Sequence, residues 1–307
     1  MAISLDAELC GAKLRNPTVL ASGIVGVTGA LLVRVAKEGG AGAVTSKSCS
    51  LEPRTGHPNP IILDFPEGMI NAVGLSNPGA DDEVDEIREA VANAGVPVIA
   101  SIFADTAAKF GLVAEKISKA NPSLIEVNIS CPNVESEFGK PFASDTKAAA
   151  QATEAVRNAT KIPVIVKLSP NVANIKQIAQ AVVEAGADAI CAINTVGPGM
   201  VIDIESARPV LSNKTGGVSG PAIKPVAVRC IYDVFQAVKV PIIGTGGVSS
   251  GRDALEMIMA GATAVGVGSA VGWQGFKAFR KISSEMEEWM QKNSVNSVKE
   301  IIGAAHD

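Results

Sequence analysis

Histidine is almost absent from this chain. Its 307 residues contain two, His57 and His306, and the second is the penultimate residue. A hydrolase triad built on imidazole and a histidine-ligated metal site therefore find almost no material. Cysteine is also sparse. The five thiols, Cys10, Cys49, Cys131, Cys191 and Cys230, are odd in number and far apart. Neither a disulfide framework nor a CxxC metal site fits them, so no metal is expected. Charged residues make up only 19%, the net charge is −4, and no basic run occurs, which argues against nucleic acid as a partner. No apolar run approaches the ~20 residues that a membrane span requires. The stretch Met1–Asp6 carries an acid early and no long apolar core, unlike a secretory signal. These shortages predict a soluble, cytoplasmic protein.

What the chain has in quantity is hydrophobic residues, 47% of the total, arranged in a regular alternation. Short apolar runs at 18–23, 43–48, 96–102, 124–127, 162–168, 189–195, 240–248 and 263–269 read as strands. Helical spacing follows each: 31–38, 81–94, 106–120, 145–160, 175–185, 223–238, 252–260 and 276–290. Eight strands alternating with eight helices is the count of a (β/α)8 TIM barrel, an α/β fold. A doubly wound sheet competes, but eight regular units without a composition break favour closure. No linker or low-complexity tract divides the chain, so one domain over 1–307 is expected. Two segments exceed the usual βα loop: 51–79 after strand 2 and 196–221 after strand 6. In the second, 200–204 and 209–211 could pair as a hairpin.

In a barrel, all eight carboxyl strand ends face one mouth, where chemistry is done. Those ends carry Ser22-Gly23, Lys47, Ser101, Asn128 with Cys131, Lys167, Asn194-Thr195, Gly246-Gly247 and Gly268-Ser269. The fourth is the most pointed. Pro132 cannot sit in a central strand, so Asn128, Ser130, Cys131 and Asn133 fall at a strand end and in the loop beyond. A thiol beside two carboxamides can take a proton while the carboxamides hold a planar polar ring; a buried structural cysteine is the alternative. With imidazole scarce, proton abstraction falls to Cys131, a lysine or a carboxylate, and acids are missing from the strand ends. The glycines after strands 7 and 8 let backbone approach a phosphate closely. Gly266, Gly268 and Gly272 have the spacing GxGxxxG at the last strand, so they are no dinucleotide fingerprint.

Several longer blocks carry a resemblance. Thr45-Ser-Lys-Ser48 runs on into Leu-Glu-Pro-Arg54, and Gly-Met-Ile-Asn-Ala-Val-Gly-Leu75 and Asn-Ile-Ser-Cys-Pro-Asn133 follow. Ile202-Asp-Ile-Glu205 continues to Arg-Pro-Val-Leu211 and then Asn-Lys-Thr-Gly-Gly-Val-Ser-Gly-Pro-Ala-Ile-Lys-Pro225. With these blocks the chain resembles the catalytic subunits of class 1B dihydroorotate dehydrogenases over nearly its whole length. The resemblance implies oxidation of (S)-dihydroorotate to orotate, the redox step of pyrimidine (UMP) synthesis, on bound FMN. It implies Cys131 as the base. Substrate positions are implied at Lys47, Asn71, Ala72, Val73, Gly74, Leu75, Asn128, Asn194 and Thr195. FMN positions are implied at Ser22, Lys47, Ser48, Ser101, Asn128, Lys167, Ile193, Gly220, Gly246, Gly247, Gly268 and Ser269. At the third strand end the family usually has Asn, so Ser101 departs from its pattern. The resemblance further implies a homodimeric core and a partner subunit carrying FAD and a [2Fe-2S] cluster, two plus two, that passes electrons to NAD. The FMN barrel of a dihydropyrimidine dehydrogenase and a non-catalytic phosphate binder remain the rival readings.

Overall fold

The computed structural model describes residues 3–129 and 142–306; Ser130, Cys131 and Asn133 lie outside the described residues. The chain opens with an antiparallel hairpin of β1 (Ala7–Leu9) and β2 (Ala12–Leu14). The barrel then begins with β3 (Thr18–Leu20) and β4 (Ala43–Thr45). After them the chain leaves to form β5 (Ile62–Phe65) and β6 (Gly68–Asn71). It returns through β7 (Val98–Ile102), β8 (Leu124–Asn128), β9 (Val164–Leu168) and β10 (Ala189–Ala192). A second departure holds β11 (Val196–Gly199), β12 (Ile202–Asp203), β13 (Arg208–Pro209) and β14 (Gly216–Ser219). The barrel ends with β15 (Ile242–Thr245) and β16 (Ala264–Val267). Strands β3, β4, β7, β8, β9, β10, β15 and β16 are parallel and close through the β16–β3 pair. The expected (β/α)8 architecture is the observed one.

The strand sequences show why the sheet closes. Every residue of β7 and of β9 is buried, because one face looks into the barrel and the other lies under helices. Those helices are Gly29–Arg34, Ala80–Asn93, Ala107–Ser118, Thr146–Ala159, Ile175–Glu184, Lys224–Ala237, Gly251–Met259 and Lys277–Lys292. Thr28, Thr106, Asp145, Asn174 and Ser250 cap five of them, each side-chain oxygen accepting from a first-turn N–H. The first helix differs from the expected single run over 31–38. It continues as a wider π-helical turn over Val35–Gly39 and stops at Gly40, whose φ of 82° suits glycine. A short extra helix, Ala270–Gln274, precedes the last long one.

The opening hairpin escaped the sequence reading because three-residue strands carry too little alternation to register. Its Ala7, Leu9 and Leu14 pack against Val19, Ala43, Ile99, Leu124, Ile165, Ala189, Cys191, Ile243 and Ala264 inside the barrel. The hairpin therefore plugs the end opposite the mouth. Truncating fully buried Leu9 leaves a cavity in that plug, and Leu9→Ala is expected to cost ~2–5 kcal/mol. Urea denaturation would show it, and an unchanged midpoint would mean the plug does not stabilise the barrel.

The two long departures are not independent loops. Strands β5 and β6 form a hairpin, β6 pairs with β14, and β14 with β11, giving one sheet in the order β11-β14-β6-β5. The hairpin expected between 200–204 and 209–211 is present in shorter form, with Ile202 opposite Pro209. Ile70, Ala72 and Leu211 give the sheet its own small core. No described helix is long and apolar enough to cross a membrane.

Candidate active site

The barrel mouth and the four-stranded sheet enclose a cavity of about 1170 Å³, its open side included. Seven of the barrel's strand ends reach it: Ser22 after β3, Lys47 and Ser48 after β4, Asn128 on β8, Lys167 on β9, Ile193, Asn194 and Thr195 after β10, Gly246 and Gly247 after β15, and Gly268 and Ser269 after β16. The added sheet and its flanks supply Asn71, Val73, Gly74, Leu75 and Gly220. All of these were expected from the sequence. Lining residues it did not indicate include Ile24, Ile62, Met69, Ser219, Ile223 and Val248. Most are apolar and give no chemical signal; only the tertiary fold turns them inward.

Two expected residues do not line the cavity. Ala72 is fully buried in the small core of the added sheet. Ser101, at the end region of β7, is also fully buried. Its hydroxyl donates to Glu126 Oε1 at 2.8 Å and lies 2.8 Å from Ser48 Oγ. Glu126 can only accept when ionised, so Ser101 spends its proton there and accepts from Ser48. Ser48 in turn lies 3.1 Å from Ser22 Oγ and accepts from Asn128 Nδ2 at 3.3 Å. Asn194 Nδ2 donates to Asn128 Oδ1 at 3.4 Å, and Asn194 Oδ1 accepts from the Thr195 N–H at 2.8 Å. These polar groups thus form one connected network.

Glu126 is the important omission. The run 124–127 reads as apolar, and Glu126 corrects that reading, although no acid is among the described residues that line the cavity. Along β8 the side chains alternate. Leu124 packs inside the barrel, so Glu126 points inward one step higher and Asn128 one step beyond, at the rim. A single acid in an inward position of an otherwise apolar strand was the available signal. Glu126 lies 3.7 Å from Lys167 Nζ, and both are almost wholly buried. Burial by itself would lower the Lys167 ammonium, but the Glu126 carboxylate outweighs it, so its pKa is raised. The lysine stays charged beneath the cavity.

A second acid stands just outside this network. Glu83, on the helix Ala80–Asn93, is buried, and neither carboxyl oxygen has a hydrogen-bond partner among the described residues. Burial, helped by the Glu86 charge, pushes its pKa up to about 7, which nearby Ser46 and Lys47 only partly offset. A carboxyl with a raised folded pKa binds its proton more tightly when folded, so its contribution to stability is full below the unfolded value of 4.5 and is lost as pH rises through 7. Glu83→Gln removes that titration. The variant's stability relative to the parent should improve by roughly 3 kcal/mol between pH 4.5 and pH 8, as followed by denaturant titration. A constant difference across that range would mean Glu83 is not held protonated.

Comparison with known proteins decides the family. The sequence profile described as dihydroorotate dehydrogenase matches residues 4–290. The chain belongs to the dihydroorotate dehydrogenase family. It is accordingly an oxidoreductase of the dihydroorotate-oxidising step of pyrimidine biosynthesis. A relative in Methanosarcina mazei, the catalytic subunit of dihydroorotate dehydrogenase B (NAD(+)), is 50% identical over 97% of this chain and 94% of its own. Proteins of the same name in Methanothermobacter thermautotrophicus and Geotalea uraniireducens are 44% and 45% identical. The first match spans both chains entirely, the second 98% of this chain and 97% of its own.

Proposed function

We propose that this chain is the catalytic subunit of a class 1B dihydroorotate dehydrogenase, acting as one FMN-binding barrel domain over residues 1–307. The observation that carries the proposal is the single cavity in which the carboxamides Asn71, Asn128 and Asn194, the Thr195 hydroxyl and the Lys47 amine converge with paired glycine loops. A carboxamide offers both a donor and an acceptor, which suits the alternating C=O and N–H groups of a dihydropyrimidine ring. Lys47 Nζ, 3.7 Å from where a Cβ on Gly23 would lie, offsets the charge of an anionic substrate.

The residues present fit FMN. A Cβ added to Gly268 would approach no protein atom closer than 3.7 Å. Packing does not demand glycine there, which suits a stretch of backbone left bare beside a ligand. When bound, FMN would supply the acceptor for the hydride that leaves dihydroorotate. Ser22, Ser48, Lys167, Ile193 and Gly220 would hold its ring, with the Lys167 ammonium offsetting charge that develops on reduction. Gly246, Gly247, Gly268 and Ser269 would take its phosphate on backbone N–H groups. Gly247 is less diagnostic, since a Cβ there would meet Lys224 Cβ at 2.7 Å and disturb the barrel itself. Gly268→Val is the cleaner test: the purified variant should fold as the parent does yet lose the flavin absorbance. Retention of stoichiometric FMN at the parent's affinity would overturn this placement.

Cys131, outside the described residues, is proposed as the base that takes a proton from the substrate ring. The other four thiols support that reading. Burial raises Cys10 to about 11, Cys191 to about 12 and Cys230 to about 11, and lifts Cys49 well above its usual value. None of them offers a thiolate near neutral pH. A serine hydroxyl is far less acidic than a thiol, so Cys131→Ser should slow flavin reduction by dihydroorotate severely near pH 7. Stopped-flow absorbance across pH measures it: the parent rate should rise to a plateau that the variant lacks or shifts upward. An identical rate and profile would make Cys131 a structural thiol.

The name shared by the relatives places NAD(+) and at least one further subunit beside them. Among the described residues no group of His, Cys, Asp and Glu could hold a metal. In line with the family resemblance, electrons are proposed to reach NAD through a partner subunit carrying FAD and a [2Fe-2S] cluster, in a cytoplasmic heterotetramer of two plus two with a homodimer of this chain at its core.

A further inference from the structure

The turn Ala72–Leu75 has all its carbonyls occupied from outside the cavity. The His57 ring lies with Nδ1 3.0 Å from Ala72 O, and the His57 N–H donates to Val73 O at 3.0 Å. Arg54 Nε donates to Gly74 O at 2.8 Å and Asn77 Nδ2 to Leu75 O at 2.9 Å. No hydrogen bond runs from the N–H of Val73, Gly74 or Leu75 to another described residue. These three residues line the cavity. Gly74 and Leu75 both have positive φ, 75° and 60°. Successive N–H groups in such a turn converge into a concavity that attracts anions.

We infer that His57 is a positioning residue: its imidazole holds this turn so that consecutive N–H groups face the cavity and receive an anionic group of the substrate. The inference rests on the proposed function and on the substrate positions that the family resemblance implies at Ala72–Leu75; what it adds is the role of His57. Two contacts make His57 the pivot. Ala72 O can only accept, so Nδ1 carries the proton, a condition met by the cation and by one neutral tautomer. The ring also lies against Gly74. A Cβ there would meet His57 N at 2.6 Å, Cγ at 2.8 Å and Cδ2 at 2.9 Å. The imidazole therefore fixes the turn at two points, by a hydrogen bond to the Ala72 carbonyl and by packing on Gly74.

The test uses the flavin-loaded protein and two ring ligands, orotate and uracil, the second lacking the carboxylate. Binding is read from the change in flavin absorbance. His57→Ala removes both contacts and should weaken orotate by about tenfold, the scale of one lost hydrogen bond with some packing, while uracil binding changes by less than about twofold. In turnover, KM for dihydroorotate should rise more than kcat falls. His57→Asn places an amide donor where Nδ1 stood and should recover most of the orotate affinity. Equal weakening of both ligands, or no weakening of orotate, would overturn the inference. Failure of the parent protein itself to bind orotate would instead overturn the proposed function.

Discussion

The pairing of β6 with β14 is the constraint on which the site depends. It sets Asn71 beside Gly217 and Ile70 beside Val218, joining two departures that leave the barrel from opposite ends of its sequence. A barrel without that sheet would present its strand ends to solvent on an open rim. With it, the rim acquires a wall, and polar groups inside act in a space with less water, where charge and hydrogen bonding count for more. The close approach is possible because β14 begins Gly216-Gly217. A Cβ on Gly216 would meet Asn71 O at 2.5 Å, so glycine there lets the two strands touch.

Beneath that wall, the electrostatics form a layered arrangement. The opening hairpin and the lowest inward residues are apolar and close one end. One step up, Glu126, Ser101 and Lys167 form a buried charged and hydrogen-bonded group. At the rim, the serines and carboxamides lean on that group through Ser48 and Asn128. A buried ion pair is a poor source of net stability, since desolvation costs nearly cancel attraction. Its presence here is better understood as a way to keep a cation under the cavity. The outer turn is held by its backbone, with carbonyls turned toward Arg54 and His57.

The rim was legible in the sequence because a parallel barrel makes every strand end equivalent. Once eight units were counted, Lys47, Asn128, Lys167 and Asn194 had to meet, although 147 residues separate the first from the last. The family blocks carried the same positions and added the 71–75 turn. The family motif implies Ser101 and Ala72 at the ligand, yet both are buried and neither lines the cavity, because a motif records which residues accompany a site and not which of them face it.

What the sequence determined by itself is the alternation of strand and helix, the closed barrel and the chemistry offered at its mouth, since these follow from local hydrophobic period and from which residue ends each strand. It also determined the membership that a profile recognises. What only the tertiary structure decided is the joining of the two departures into one sheet, the plug at the far end, the inward turn of Glu126 and the clamp of His57 on the 72–75 turn. Each of these depends on contacts between residues distant in the chain. Such contacts leave no periodic mark on either partner's own segment, and they exist only once closure of the barrel has fixed where both segments emerge.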